Sequence, residues 1–237
     1  FTDFQAFSME EQVSVRYVER AEELGSPDLI LLPGTKNTMK DLLWLRQAGL
    51  EAAIQRKAEE GTLVLGICGG YQMLGERIED PEGAEGGGSL RGMGLLPVVT
   101  HFGKEKVRTR REGRVYSLCG DFAALSGKRV SGYEIHMGET CLLETCGRFA
   151  SVTDCVTGKQ YPDGCVKGNV CGTYIHGILD APGLLKGLLN PVFLEKGMTP
   201  GAYRDLAGYR QEQYDILADV IRAHMDMDAV RRIIGLK

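Results

Sequence analysis

Thr62-Leu63-Val64-Leu65-Gly66-Ile67-Cys68-Gly69-Gly70-Tyr71-Gln72 is the stretch on which the fold turns. Its first half is an uninterrupted apolar run of strand length, the pattern of a strand covered on both faces in a parallel sheet. Its second half places a cysteine between glycines, immediately before a segment that can start a helix. Working outward, Asp28-Leu29-Ile30-Leu31-Leu32 is a second such strand, ended abruptly by the loop Pro33-Gly34-Thr35-Lys36-Asn37-Thr38. Thr38, with Asp41 three residues on, is placed to cap the next helix. Leu50 to Glu60 reads as a helix, because Ala52, Ala53 and Ala58 have high propensity, Ile54 and Ala58 share a face, and Gly61 stands at its end. Strand, helix and strand in this order predict an α/β fold: an open, mostly parallel central sheet of flavodoxin-like type with helices on both faces.

The remainder is read more coarsely. Val13 to Val18 alternates with a period near two and predicts a strand. Glu79 to Gly88, rich in glycine, predicts a surface loop. Val98 to Val170 is rich in β-branched and polar residues with recurrent Gly turns, which predicts mixed strands and hairpins. Ile216, Leu217, Val220 and Ile221 fall on one face of a terminal helix between Asp205 and His224, and Val230, Ile233 and Ile234 extend or restart it. No repeat or linker composition interrupts the chain, so residues 1–237 are read as one domain.

The 237 residues carry 28 Lys and Arg against 32 Asp and Glu, a net charge of -4 that argues against a nucleic-acid-binding surface. No apolar run approaches the ~18 residues of a membrane span, and no signal peptide is evident, so a cytoplasmic protein without a membrane partner is expected. Seven cysteines are an odd number in a chain too large to need staples, which suits free thiols. None of those from Cys141 to Cys171 has C-x-x-C spacing, so no metal site is expected. Neither a G-x-G-x-x-G nor a G-x-x-x-x-G-K-[ST] loop can be placed, so no nucleotide cofactor is expected in this domain. The chain begins at Phe1 rather than Met, which suggests an upstream partner domain. Lys104-Glu105-Lys106-Val107-Arg108-Thr109-Arg110-Arg111 is read as the solvated face of an edge strand.

The chemistry centres on Gly66-Ile67-Cys68-Gly69-Gly70, which has the G-x-C-x-G form of a nucleophile elbow. Glycines flank the cysteine because a tight strand-to-helix turn leaves no room for side chains. The helix start that follows favours a thiolate and offers N–H groups to an oxyanion. A thiolate of this kind needs a base. In Gly172-Thr173-Tyr174-Ile175-His176-Gly177 a strand ends at His176, where a base beside the elbow belongs. His136, in Gly132-Tyr133-Glu134-Ile135-His136-Met137-Gly138, is the competing candidate, while His101 and His224 have no such setting.

The Cys68 and His176 segments resemble the signatures of the triad (class I) glutamine amidotransferases. Together with Leu32-Pro33-Gly34-Thr35-Lys36-Asn37-Thr38 and the Gly132 to Gly138 segment they resemble, over nearly the whole chain, the glutaminase domain of the cobyric acid synthases. That resemblance implies that Cys68 attacks the side-chain amide of glutamine to form a thioester and release ammonia, and that His176 manages the protons. It implies that the N–H groups of Gly34 and Gly69 hold the oxyanion and that Gln72 contacts substrate. It further implies that Tyr133, His136 and Met137 lie in the segment that holds the α-amino and α-carboxyl groups of glutamine. The ammonia would pass to an N-terminal synthetase domain, where ATP and magnesium drive amidation of a corrinoid. In the triad family a Glu two residues after the His orients the imidazole. Here Ile178 stands in that place, so either a Cys–His dyad or another acceptor, Glu134 and Asp180 being two possibilities, is expected. Rival readings are the glutaminase subunit of a lipid II amidating complex, a Cys hydrolase on the same elbow, and a catalytically silent binding module.

Overall fold

The computed structural model describes residues 2–235 apart from Thr145 and Asp205. Its strands are β1 (Leu29–Leu32), β2 (Leu63–Ile67), β3 (Arg77–Asp80), β4 (Gly88–Arg91), β5 (Val98–Val115), β6 (Arg129–Leu142), β7 (Ala150–Asp154), β8 (Gln160–Asp163), β9 (Cys165–Lys167) and β10 (Val170–Thr173). Its helices are α1 (Gln5–Ser8), α2 (Thr38–Gln47), α3 (Leu50–Glu59), α4 (Gly69–Leu74), α5 (Pro182–Glu195), α6 (Leu206–His224) and α7 (Met227–Ile233). Packing groups the chain into two compact units, Phe1–Gly201 and Ala202–Lys237, the second of which holds α6 and α7. All the residues discussed as a site below lie in the first.

The two apolar runs form the centre of the first sheet, whose order is β1-β2-β10-β9. β1, β2 and β10 run parallel, with Leu32 opposite Gly66 and Gly66 opposite Gly172, and β9 closes the sheet antiparallel to β10. Val64, Ile67, Cys171 and Thr173 are fully buried, as uninterrupted apolar strands in a covered sheet require. α4 packs against β1, β2 and β10, and α2 packs on both α3 and α4. The register sets the functional geometry: the chain leaves the carboxyl ends of three neighbouring parallel strands at Pro33, Cys68 and Tyr174. In open α/β sheets ligands gather at that edge.

The second sheet, of order β4-β3-β5-β7-β8 with β6 also on β5, is antiparallel except for the β3–β5 pair. It is built from the region read as mixed strands and hairpins. β5 and β6 form a long ribbon interrupted by a register shift between His101 and Lys106, and Lys106–Arg110 pairs with β6 alone, its other side lying between the β3 and β7 pairings. Lys104, Lys106, Arg108 and Arg110 are accordingly exposed.

Three expectations are corrected. Val13 to Val18 is not a strand: the segment has no partner ladder, and Arg16 instead donates to the carbonyls of Glu23 and Leu24. Periodic alternation describes exposure along an extended chain and does not by itself supply a neighbour. α2 is capped by Asn37, whose side chain accepts the Lys40 N–H, while Thr38 turns its hydroxyl inward to Gln72. The Glu79–Gly88 segment is a loop between paired ends, since β3 runs into it and β4 leaves it, with the Asp80 carboxylate accepting three backbone N–H groups from Ala84, Glu85 and Gly87.

Candidate active site

Cys68 sits at the break between β2 and α4 with φ 52 and ψ -109, the one non-glycine residue with positive φ among those described. Such a backbone costs about 1–3 kcal/mol and persists only where the surroundings enforce it. They do so here through hydrogen bonds on both sides, from Cys68 N to Thr173 O at 2.8 Å and from Gly70 N to Pro33 O at 3.0 Å. Gly70 is required by close approach, because a Cβ there would lie 2.1 Å from the Leu32 carbonyl oxygen. The Cys68 thiol, only 5% exposed, points toward the Ile135 carbonyl at 3.7 Å.

His176 reaches the same place from β10. Its backbone forms a two-bond antiparallel bridge with Tyr133, whose ring stacks on the imidazole at 5.1 Å and 15°. Gly34 closes the third side: a Cβ on it would stand 2.5 Å from His176 Cε1 and 3.5 Å from Cys68 Cβ, so only glycine allows the loop after β1 to lie against both. The N–H groups of Gly34 and Gly69 have no backbone acceptor among the described residues, which leaves two donors beside the thiol.

The residue that orients His176 is Asp3. His176 Nδ1 donates to Asp3 Oδ2 at 2.9 Å, and Gly177 N donates to Oδ1 at 2.8 Å. A carboxylate only accepts, so the Nδ1 position carries the proton and Nε2 is directed toward the sulfur. Burial would raise the Asp3 pKa, but the bonds from His176 and Gly177 outweigh it and hold the carboxyl below its usual value. Burial likewise works to lower the His176 pKa, yet the bonds to Asp3 and Cys68 raise it to about 9. The imidazolium is thereby favoured between a carboxylate and a sulfur. Glu134 does not take this role, being held by Arg111 on the far face of β6. Asp180 lies past Gly177 in the turn that follows His176.

The other expected site residues divide by face. Gln72 is buried and its amide is fully engaged: Oε1 accepts from Thr38 Oγ1 at 2.9 Å, and Nε2 donates to the carbonyl of Met137 at 3.0 Å and to Tyr174 Oη at 3.1 Å. It ties the loop after β1, α4 and β6 into one wall. Met137 takes part through that carbonyl. His136 turns from Cys68, stacking on Tyr174 at 3.8 Å with Nδ1 beside the Gly138 carbonyl. Tyr133 keeps its side chain at the Cys68–His176 pair, stacked on the imidazole, whereas His136 does not. Asp3 escaped sequence reasoning because it is separated from His176 by 173 positions and carries no local motif.

Residues 1–183 match the CobB/CobQ-like glutamine amidotransferase domain. The chain belongs to that family. Curated relatives of this amidotransferase include the cobyric acid synthase of Ruminiclostridium cellulolyticum, 46% identical over 99% of this chain and 46% of that protein. That of Citrobacter koseri is 44% identical over 98% of this chain and 46% of its own. The chain thus spans about half the length of the curated relatives it matches. Among solved structures, PurLQS from Thermotoga maritima superposes with a TM-score of 0.61 at 19% identity, covering 81% of this chain and 92% of that one. A likeness at that identity supports the α/β fold of the family. No described helix is long and apolar enough to cross a membrane.

Proposed function

We propose that this amidotransferase domain hydrolyses glutamine through a thioester on Cys68. The observation that carries the proposal is the line Asp3–His176–Cys68 with two N–H groups beside the sulfur. In this reading the Cys68 sulfur attacks the amide carbon, and the oxyanion that forms is held by the N–H groups of Gly34 and Gly69. His176 delivers a proton to the departing nitrogen, the C–N bond breaks and ammonia leaves. His176 then takes a proton from water, which attacks the thioester and releases glutamate with the thiol restored. Asp3 keeps the imidazole in the tautomer that allows both steps. Tyr133 borders the space that glutamine enters, and Gln72 and Met137 build its wall.

The names of the relatives extend the proposal. The ammonia serves ATP-dependent amidation of peripheral carboxylates of adenosylcobyrinic acid a,c-diamide in cobalamin biosynthesis. A synthetase domain corresponding to the remaining half of the relatives' length binds the corrinoid, ATP and magnesium in the cytoplasm. The test is peptide mass spectrometry after exposure to a glutamine-mimicking diazoketone. A single adduct on Cys68 that excess glutamine suppresses is expected. An adduct elsewhere, or none in the presence of the synthetase, overturns the amidotransferase mechanism.

A further inference from the structure

Asp163 ends β8 and is 4% exposed, with its carboxylate directed at β10. Oδ2 accepts from Thr173 Oγ1 at 2.5 Å, and Oδ1 accepts from Tyr174 N at 3.0 Å. No cation is bonded to it among the described residues. A buried carboxylate without a counter-charge is costly, and a well-packed apolar or amide side chain serves a fold better. Its two partners lead straight into the site. Thr173 O is the acceptor for the Cys68 N–H, and Thr173 Oγ1 also accepts from Ile175 N at 3.1 Å, fixing the turn by which β10 hands the chain to His176. Tyr174 presents its hydroxyl to Gln72 and its ring to His136.

We propose that Asp163 is a positioning residue of this amidotransferase, setting Cys68 and His176 in register through Thr173 and Tyr174. The inference rests on the glutamine-hydrolysing reading and deepens it by naming what fixes the nucleophile and base relative to each other. An ionised carboxylate accepts from both donors at once, which obliges the Thr173 hydroxyl to donate toward β8 and frees its lone pair for Ile175. An amide at this position accepts from one donor only and turns an N–H toward the other. With the amide oxygen on Tyr174 N, the Thr173 hydroxyl must accept from the amide as well as from Ile175 N and turn its own proton elsewhere. With the oxygen on Thr173, Tyr174 N loses its acceptor; the apolar packing stays in place in both.

Burial dominates the electrostatics of Asp163 and, against the two hydrogen bonds, pushes its pKa up to about 6. The titratable groups that face it are Glu134 and His136 of β6, Cys171 of β10 and Tyr71 of α4. A carboxyl whose folded pKa is raised costs stability when ionised, and the cost is absent below its unfolded pKa. Replacing it with an amide therefore removes a cost above pH 6 and none near pH 4. A purely structural residue would lose stability and activity together; Asp163→Asn separates them.

The experiment compares Asp163→Asn, Thr173→Val and the double variant with the unaltered protein. It reads kcat and KM for glutamine, melting temperature at pH 8 and pH 4.5, and the rate of iodoacetamide alkylation at Cys68 by peptide mass spectrometry. Asp163→Asn is expected to lower kcat about 10- to 100-fold with KM within threefold, as loss of one hydrogen bond to a charged group implies. Its melting temperature at pH 8 stays at or above that of the unaltered protein, and Cys68 alkylation changes in rate. Thr173→Val gives a loss of the same size, and the double variant loses no more than either single one. A kcat within threefold, or a loss that follows a fall in melting temperature at pH 8, overturns the assignment. If the unaltered protein does not hydrolyse glutamine even with the synthetase present, the functional reading fails instead, and an unchanged alkylation rate would overturn the role of Asp163 independently.

Discussion

Asp3→Asn tests the orienting bond most directly. The asparagine is isosteric, so Phe4, α1 and the turn after His176 keep their packing, but its amide cannot accept from both His176 Nδ1 and Gly177 N, now at 2.9 and 2.8 Å. If its oxygen keeps Gly177, its N–H₂ faces Nδ1 and drives the proton to Nε2, where it blocks acceptance of the thiol proton. A hydrogen bond to a charged group contributes about 1.5–3 kcal/mol, which corresponds to ~10- to 150-fold in rate. A mis-set tautomer costs as much as ~10⁴-fold in the serine-protease triad. The expected fall in kcat for glutamine hydrolysis therefore lies between about 10- and 10⁴-fold, with KM little changed because Asp3 does not touch substrate. The His176 pKa is raised to about 9, so the stability it contributes is present below the unfolded value and lost as pH rises through 9. Asp3, held low, contributes stability above its unfolded value that is lost as pH falls through its folded pKa. These are two descriptions of one bond, so the stability gap between the unaltered protein and Asp3→Asn is widest from about pH 4 to 6.5 and narrows toward pH 9. Glutamate release followed from pH 6 to 10, beside urea unfolding at pH 6 and pH 9.5, reads both. A kcat within threefold of the unaltered protein, with the alkaline limb of its profile unmoved, would refute the orienting role.

Gly34→Ala places a Cβ 2.5 Å from His176 Cε1; the imidazole must move, and kcat is expected to fall at least ~100-fold with little change in melting temperature, since a displacement near 1 Å suffices for that loss. Retained activity would show that the loop after β1 does not touch the base in solution. Arg111→Met leaves the buried Glu134 carboxylate without the cation that now donates to it at 2.9 Å. Urea unfolding at pH 7 is expected to show a loss of about 3–5 kcal/mol, the usual cost of breaking a buried pair from one side; a loss under about 1 kcal/mol would mean that water reaches this carboxylate. Cys68→Ser is expected to abolish the diazoketone adduct and glutamine hydrolysis while leaving the melting temperature close to that of the unaltered protein, measured by peptide mass spectrometry and thermal unfolding.

What could be read in the sequence is what is local. The elbow is five consecutive residues, and the glycines around Cys68 announce the close backbone approach that Gly70 makes to Leu32. The parallel sheet follows from two apolar runs bracketing a helix, and with β2 between β1 and β10 the loop after β1, Cys68 and His176 emerge side by side. What could not be read depends on which remote segment fills a given space. The alternation at Val13 to Val18 holds no information about a partner strand, and no strand pairs with it among the described residues. The spacing from Cys68 singles out Gln72, but its engagement by Thr38, Met137 and Tyr174 is a tertiary fact. The same applies to His136, which follows the inward face of β6 to Tyr174 because the strand's alternation gives the outward face to Tyr133 and Ile135.

The position of the orienting carboxylate shows how such a role can move along a chain. Gly177 adopts φ 70 and turns the backbone so that Ile178, two residues past His176, is 2% exposed and lines a small apolar cavity with Leu65, Phe122, Leu184 and Leu188. A carboxylate at that position would point into this core, away from the imidazole, and would carry the full cost of burial without a partner. The geometry that triad chemistry demands is an acceptor on Nδ1, and any segment able to bring one there satisfies it. The short helical turn Thr2–Phe4 and α1 pack against the Ile178–Asp180 turn, which brings Asp3 to both Nδ1 and the Gly177 N–H. The second of these bonds matters as much as the first, because it fixes the carboxylate to the backbone of the residue after the base. The acceptor is therefore tied both to the ring and to the backbone beside it, which holds the imidazole aimed at the sulfur.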